Sequence, residues 1–293
     1  GTCLYAASLI PEIADDVWPV DRAMEWGYGW PLGPFRSLDA LGPQWVADRA
    51  KEKGEAVPAF LQKLLDSGRK RFYDDAVVPA REGVVDLGSV KAARGVVKKN
   101  PGASLVDLGE GVALVEFHSK MNSLGADAIG MIHTAVKEVR ANFDALVIGN
   151  QGENFTVGAN LMLVLMGAEE GEWDELDRAI RQFQDANMAL KTAEFPVVAA
   201  PFGLTLGGGT EISLHCDRIQ AHAELYMGLV EVGVGLIPGG CGTKELAFRF
   251  TKALEPYAEA DPFEGDKRAF QLIALAQTST SALEARNMGF LRP

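Results

Sequence analysis

Leu204-Thr-Leu-Gly-Gly-Gly-Thr-Glu-Ile-Ser-Leu-His215 runs three successive glycines, Gly207 to Gly209, straight into a segment that reads as a helix, with Glu211 in its first turn. Glycine lets the backbone come close to a ligand, and first-turn N–H groups have no acceptor within their own helix. Donors placed there can stabilise a developing oxyanion, and a carboxylate just past the glycines can exchange a proton beside it. That combination suits a thioester being turned into an enolate. A triple glycine alone is more often a close-packed corner between strand and helix, so the weight rests on what accompanies it.

Two other stretches accompany it. From Tyr226 to Thr243 the chain is apolar and rich in glycine, and Glu231 is the one charge it carries. A carboxyl group among apolar neighbours, or facing another carboxylate, holds its proton more tightly, which lets one of two glutamates serve as acid while the other serves as base. Upstream, Gly152-Glu-Asn-Phe-Thr-Val-Gly-Ala-Asn-Leu161 follows a short apolar strand, 145–149, and precedes an apolar helix. An N–H from Gly158-Ala159 would supply the second donor of an oxyanion pocket.

Together these motifs resemble the crotonase, or enoyl-CoA hydratase, superfamily. Its Phe-x-x-Gly-Ala-Asp loop is matched by Phe155-Thr-Val-Gly-Ala159-Asn160, and its Leu-Gly-Gly-Gly-x-Glu turn by Leu206 to Glu211. Its Pro-Glu segment leading to Gly-x-x-Pro-Gly-Gly is matched by Val230-Glu231 and Gly235-Leu-Ile-Pro238-Gly-Gly240. Asn160 stands for the usual Asp and Val230 for the usual Pro; neither change removes a reacting group. The resemblance spans roughly 103–293. It implies an α/β fold of the crotonase ββα spiral type, with Glu211 and Glu231 as catalytic carboxylates and the Ala159 and Gly208 amides as oxyanion hole. It further implies substrate contacts at Lys120, Gly158, Asn160, Gly207, Pro238 and Gly239, Lys120 lying in the loop that lines the adenine end of the ligand in the family.

The first 45 residues hold four of the five tryptophans and read as helical. Ile13, Val17, Val20 and Met24 recur at helical spacing, and Phe60, Leu61, Leu64 and Leu65 form a later stripe. Residues 26–42 contain Gly29-Trp-Pro-Leu-Gly-Pro-Phe-Arg-Ser-Leu-Asp39, similar to the C-terminal helical domain of 3-hydroxyacyl-CoA dehydrogenases. We therefore expect a small all-α domain at 1–75, a linker at 76–104 and a crotonase-like domain at 105–293 with its C-terminal helices truncated. On this reading the chain is a piece of a fused β-oxidation enzyme. Any NAD would belong to a dehydrogenase portion that is missing here, since no Gly-x-Gly-x-x-Gly follows a strand.

With 40 acidic against 28 basic residues the net charge is −12, which argues against nucleic acid as a partner. The basic excess is confined to 76–104, where Lys91, Arg94, Lys98 and Lys99 invite either a coenzyme A phosphate contact or the commoner reading of a solvated face. No run of residues is apolar and long enough to span a membrane, and no signal peptide opens the chain. Cys3, Cys216 and Cys241 lack metal spacing and point to a reducing cytoplasm. The four histidines share no ligand spacing, so no metal site is expected, and Gly239-Gly-Cys-Gly-Thr-Lys244 has the wrong order for a phosphate loop.

The expected reaction is hydration of a trans-2-enoyl-CoA, the acyl-CoA thioester being substrate and no cofactor being held by this chain. Isomerisation of an enoyl-CoA, which needs only the second glutamate, and a non-catalytic coenzyme A-binding or docking role are the alternatives; thioester hydrolysis is weaker. Acyl chain length is open, with Leu161 to Met166, Phe202, Leu229 and Ile237 as candidate pocket residues. So is the choice between a homo-oligomer and contact with dehydrogenase domains.

Overall fold

The computed structural model describes residues 1–73, 83–257, 259 and 261–292. The chain divides into two compact units, Gly1–Ser89 and Val90–Pro293.

The first unit contains helices α1 (Thr2–Ser8), α2 (Val17–Tyr28), α3 (Pro34–Leu41), α4 (Pro43–Glu52) and α5 (Ala59–Asp66), and α6 (Leu87–Arg94) runs across the boundary. Its core is built on Ala7, Phe35, Leu38, Ala47 and Leu61. Ile13 falls outside α2, contrary to the helical stripe expected from the sequence, because Asp16 caps the helix by accepting the Val17 N–H at 2.6 Å. The Gly33-to-Asp39 motif has a local cause. Buried Asp21 on α2 accepts from Phe35 N (2.7 Å), Arg36 N (2.9 Å) and the Tyr73 hydroxyl (2.8 Å), so a carboxylate caps the start of α3. A Cβ at position 33 would lie 2.5 Å from the Asp21 side chain, which leaves room for glycine alone. Asp39 accepts from Phe72 N and Tyr73 N and returns the later chain to α3.

The second unit begins with β1 (Val96–Lys99), β2 (Ala103–Gly109) and β3 (Val112–Phe117), paired antiparallel. Glu110 and Gly111 both have positive φ, the two-residue turn that matches strand twist in a tight hairpin. Helix α7 (Ala126–Asn142) then crosses to β4 (Ala145–Gly149), which pairs parallel with β3. It buries Ala128, Met131, Ile132, Ala135, Val136 and Val139, a 3.6-period stripe, on the sheet. There follow α8 (Leu161–Glu169), α9 (Trp173–Lys191), β5 (Val197–Ala199), β6 (Gly203–Leu206), α10 (Gly208–His215), β7 (Arg218–Ile219), β8 (Leu225–Gly228), α11 (Gly242–Leu254), α12 (Phe263–Ala274) and α13 (Ala282–Met288). The main sheet runs β1-β2-β3-β4-β5-β7, and β6 and β8 form a second, parallel pair. Crossing helices on a mostly parallel sheet make this unit an α/β fold, the class that the crotonase resemblance implies.

Two features of the connector differ from the sequence expectation. Residues 96–104, read as the end of a linker, hold β1 and the start of β2, because Val96, Lys98 and Lys99 pair with Val106, Leu105 and Ser104 across an antiparallel ladder. The basic residues between 91 and 98 are matched by acids of the same unit: Lys91 with Glu116 at 2.9 Å, Arg94 with Asp107 at 3.8 Å and Lys98 with Glu138 at 3.4 Å. Positions 74–82, which include the expected end of the helical domain, lie outside the described residues. Among the described residues no helix is long and apolar enough to cross a membrane.

Candidate active site

Strand β6 delivers the chain to Gly207, whose φ of +52° turns it into α10, and Gly207 N donates to Gly228 O of β8 at 2.9 Å. Thr210 locks the corner: its hydroxyl donates to Thr205 O (2.7 Å) and accepts from Gly228 N (3.1 Å). Gly208 therefore sits at the first position of a helix fixed at both strands of the small sheet, with its N–H facing outward along the axis.

The 155–160 loop lies against this corner. Thr156 bridges Thr205, Leu124 bridges Ala159, and Leu124 N donates to Gly158 O at 2.8 Å. Gly158 has φ +87°, and a Cβ there would stand 2.9 Å from Leu206 O and 3.4 Å from Gly208 N. Only glycine lets the two loops come this close. Among the described residues neither the Ala159 nor the Gly208 N–H has a hydrogen-bond acceptor. Asn160, the departure from the family pattern, accepts from Met162 N at 3.2 Å and caps α8, work an aspartate would do equally.

The two glutamates come to the corner from different sides. Glu211, 2% exposed, accepts the Gly242 N–H of α11 at 2.8 Å. Burial pushes its carboxyl up to about 7, opposed by the Gly242 and Gly240 amides and assisted by the charge of Glu231. Glu231 begins a 3-10 turn, Glu231–Val234, that follows Val230. Its Oε1 lies 3.1 Å from where a Gly207 Cβ would be, and its Oε2 is buried without a partner among the described residues. Burial raises its pKa as well. The charge of Glu231 strengthens the hold of Glu211 on its proton, and both carboxyls lie at the one glycine corner.

Pro238 is buried, Gly239 half-buried, and both belong to the strap that carries the chain from Glu231 to α11. Lys120 is exposed on the 3-10 turn Lys120–Asn122, four residues before the Leu124–Ala159 bridge. Of the candidate acyl-pocket residues, Leu229 is buried in a cluster beneath β8 and Phe202 is half-buried, whereas Leu161, Met162, Leu163, Leu165, Met166 and Ile237 are exposed. Three side chains that the sequence reading passed over lie against the site. Phe183 of α9 sits where a Gly240 Cβ would go and 3.2 Å from that of Gly208; Gln184 and Asn187 bond the strap. Phe183 belongs to the apolar face of α9, and the signal of Gln184 and Asn187 was their polarity beside that face.

One corner of this α/β unit thus brings together a glycine-lined helix start, amides from two loops without acceptors among the described residues, buried Glu211 and half-buried Glu231. Residues 107–255 match the model of the family described as enoyl-CoA hydratase/isomerase, and the chain belongs to that family. It is 46% identical over 304 aligned residues to the "Probable 3-hydroxyacyl-CoA dehydrogenase" of Bacillus subtilis, covering 99% of this chain and 38% of that protein. It is 30% identical over 247 residues to the "Putative fatty acid oxidation complex trifunctional enzyme" of Rickettsia felis, covering 84% of this chain and 33% of that one. The chain thus spans little more than a third of the length of these relatives. Among solved structures it is similar to an enoyl-CoA hydratase from Bacillus anthracis, with 26% identity and a TM-score of 0.54 over 65% of this chain and 68% of that one.

Proposed function

We propose that this chain is an enoyl-CoA hydratase, adding water reversibly across the double bond of a trans-2-enoyl-CoA. The observation that carries the reading is the placement of Glu211 and Glu231, from separate elements, on either side of the glycine corner that presents the Gly208 amide. The Ala159 and Gly208 N–H groups would hold the thioester oxygen as it takes up enolate charge, a role worth about 10²–10³ in turnover per donor. Glu211, ionised above about pH 7 and fixed by the Gly242 N–H, would take a proton from the water whose oxygen bonds to C3. Glu231, whose hold on its proton burial strengthens, would give a proton to C2 as the enolate collapses. Water's proton and hydroxide are then both accounted for, and proton exchange between the two carboxyls resets the site.

Several wider statements rest on the same reading. Similarity to longer proteins named as a dehydrogenase and as a fatty acid oxidation trifunctional enzyme supports a multifunctional β-oxidation protein, of which the helical unit would be the end of a dehydrogenase portion that binds NAD elsewhere. Isomerisation of a 3-enoyl-CoA would use Glu231 without water activation. The ordered seating of Glu211 on α11 favours hydration.

The test is the fall in absorbance of crotonyl-CoA with the unaltered chain, Glu211→Gln and Glu231→Gln, each checked for folding by circular dichroism. Loss of most turnover in both variants is expected. Full hydration by either one, or activity on 3-enoyl-CoA alone, overturns the assignment.

A further inference from the structure

One face of α9 carries Gln184, Asn187 and Lys191, spaced i, i+3 and i+7, so the three project in a row. Each holds a successive point of the strap from Gly239 to Glu245. Gln184 Nε2 donates to Gly239 O at 2.7 Å, Asn187 Nδ2 donates to Gly240 O at 2.8 Å, and Lys191 Nζ pairs with Glu245 of α11. This same strap donates the Gly242 N–H to Glu211 Oε1 at 2.8 Å, and its backbone at Gly240 passes close to Glu211 Oε2, a Cβ there standing 2.6 Å away.

We infer that Gln184, Asn187 and Lys191 are positioning residues that aim the strap's amides at the Glu211 carboxylate, so that α9 sets the basicity of a catalytic group it does not itself touch. The inference rests on Glu211 acting as the base, and it deepens that reading.

The mechanism is peptide geometry. In a trans peptide the N–H points opposite to the C=O of the same plane. Gln184, by holding Gly239 O toward α9, turns the Gly240 N–H the other way, toward Glu211. Asn187, by holding Gly240 O, fixes the next plane and with it Cys241, which has φ +75°, a conformation that a residue with a side chain adopts only when its surroundings impose it. Lys191 acts one turn into α11. Its bond to fully buried Glu245 ties down the turn whose first N–H, that of Gly242, reaches Glu211. Asn187 is fully buried and spends its Nδ2 donor on the Gly240 carbonyl, while its Oδ1 lacks a partner among the described residues.

The groups able to influence Glu211 electrostatically are few. Glu231 faces it from the 3-10 turn, the Cys241 thiol from the strap, and His215, one turn further along α10, contacts its carbonyl oxygen through Nδ1 at 2.7 Å. Glu245, Lys191, Lys244 and Arg249 cluster beyond His215, and burial keeps that imidazole from protonating at ordinary pH. None of these is altered by replacing Gln184 or Asn187 with an uncharged residue, so those two positions isolate the effect of amide alignment.

The experiment is a carbon-13 carboxyl NMR titration of the whole chain as the unaltered protein, Asn187→Leu and Gln184→Leu, with the Glu211 signal identified by its absence from Glu211→Gln. Gln184 is only half-buried, so its variant keeps the test alive should Asn187→Leu fold poorly. Misaligned amides stabilise the carboxylate less, so the Glu211 midpoint rises by about one pH unit, tenfold in ionisation constant. The rising limb of kcat/KM for crotonyl-CoA moves up in parallel, with KM little changed. A raised NMR midpoint without a moved activity profile supports the positioning role and refutes Glu211 as base. A midpoint unmoved in both variants overturns the inference, whatever happens to melting temperature.

Discussion

Replacing Glu211 with Gln should strengthen the fold above neutral pH while removing activity. Glu211 is 2% exposed and its carboxyl is pushed up to about 7 from an ordinary 4.5. The folded state therefore binds this proton more tightly than the unfolded state does. Between those two values the folded protein holds more protons than the unfolded chain, so its stability falls as pH rises, and above about 7 the loss is complete. At about 1.36 kcal/mol per unit, the displacement costs the native state roughly 3 kcal/mol. Glutamine is neutral throughout and keeps an oxygen for the Gly242 N–H. The stability advantage of Glu211→Gln over the unaltered chain should thus grow by roughly 3 kcal/mol from about pH 4.5 to about pH 8. Urea midpoints of the two proteins, followed by circular dichroism across that range, measure the difference directly. A gap that stays constant with pH, or that closes as pH rises, refutes the account of Glu211 as a carboxyl kept at the expense of stability. Catalytic groups are a common location for such expense, because solvation that would stabilise the charge would also blunt its reactivity.

Other outcomes follow from the same geometry. Gly240→Ala would place a methyl into Phe183 and 2.6 Å from Glu211 Oε2; overpacking of about 1–3 kcal/mol in urea unfolding and a large fall in crotonyl-CoA turnover are expected together. Gly158→Ala imposes a side chain at φ +87° and 2.9 Å from Leu206 O, so it should lower both melting temperature and turnover, and retention of both would argue against the close approach of the two loops. In the helical unit, Asp21→Ala strips acceptors from Phe35 N, Arg36 N and Tyr73 OH and should cost about 3 kcal/mol by denaturant titration. With Glu211 required as carboxylate, kcat/KM should rise with pH through about 7; a profile flat from about pH 5 to about pH 9 would contradict its assignment as base.

Much of the second unit is legible in local pattern. The strand at 112–117, the helix beginning near 126, the strand at 145–149 and the helix through Trp173 and Leu190 are set by periodicities of two and 3.6, which depend on near neighbours in the chain. The glycine corner and Glu211 in the first turn of α10 are local as well, since glycine content and helix start are read over a few residues. Pattern failed where an element is decided by residues outside its own repeat. The Val pair at 96–97 looks like loop until β2 is placed beside it, and Ile13 looks helical until Asp16 ends its chance by capping α2.

From order and residue type alone come the family, the α/β class and the candidacy of the two glutamates, because these depend on chemistry strung along one strand of chain. Tertiary structure alone settles how a glutamate of α10 meets an amide of α11, why Gly158 and Gly240 tolerate no side chain, and how α9 reaches across more than 50 residues to hold the strap. The reason is physical: burial and amide alignment, which fix a carboxyl's hold on its proton, belong to the packed arrangement and have no counterpart in any short segment.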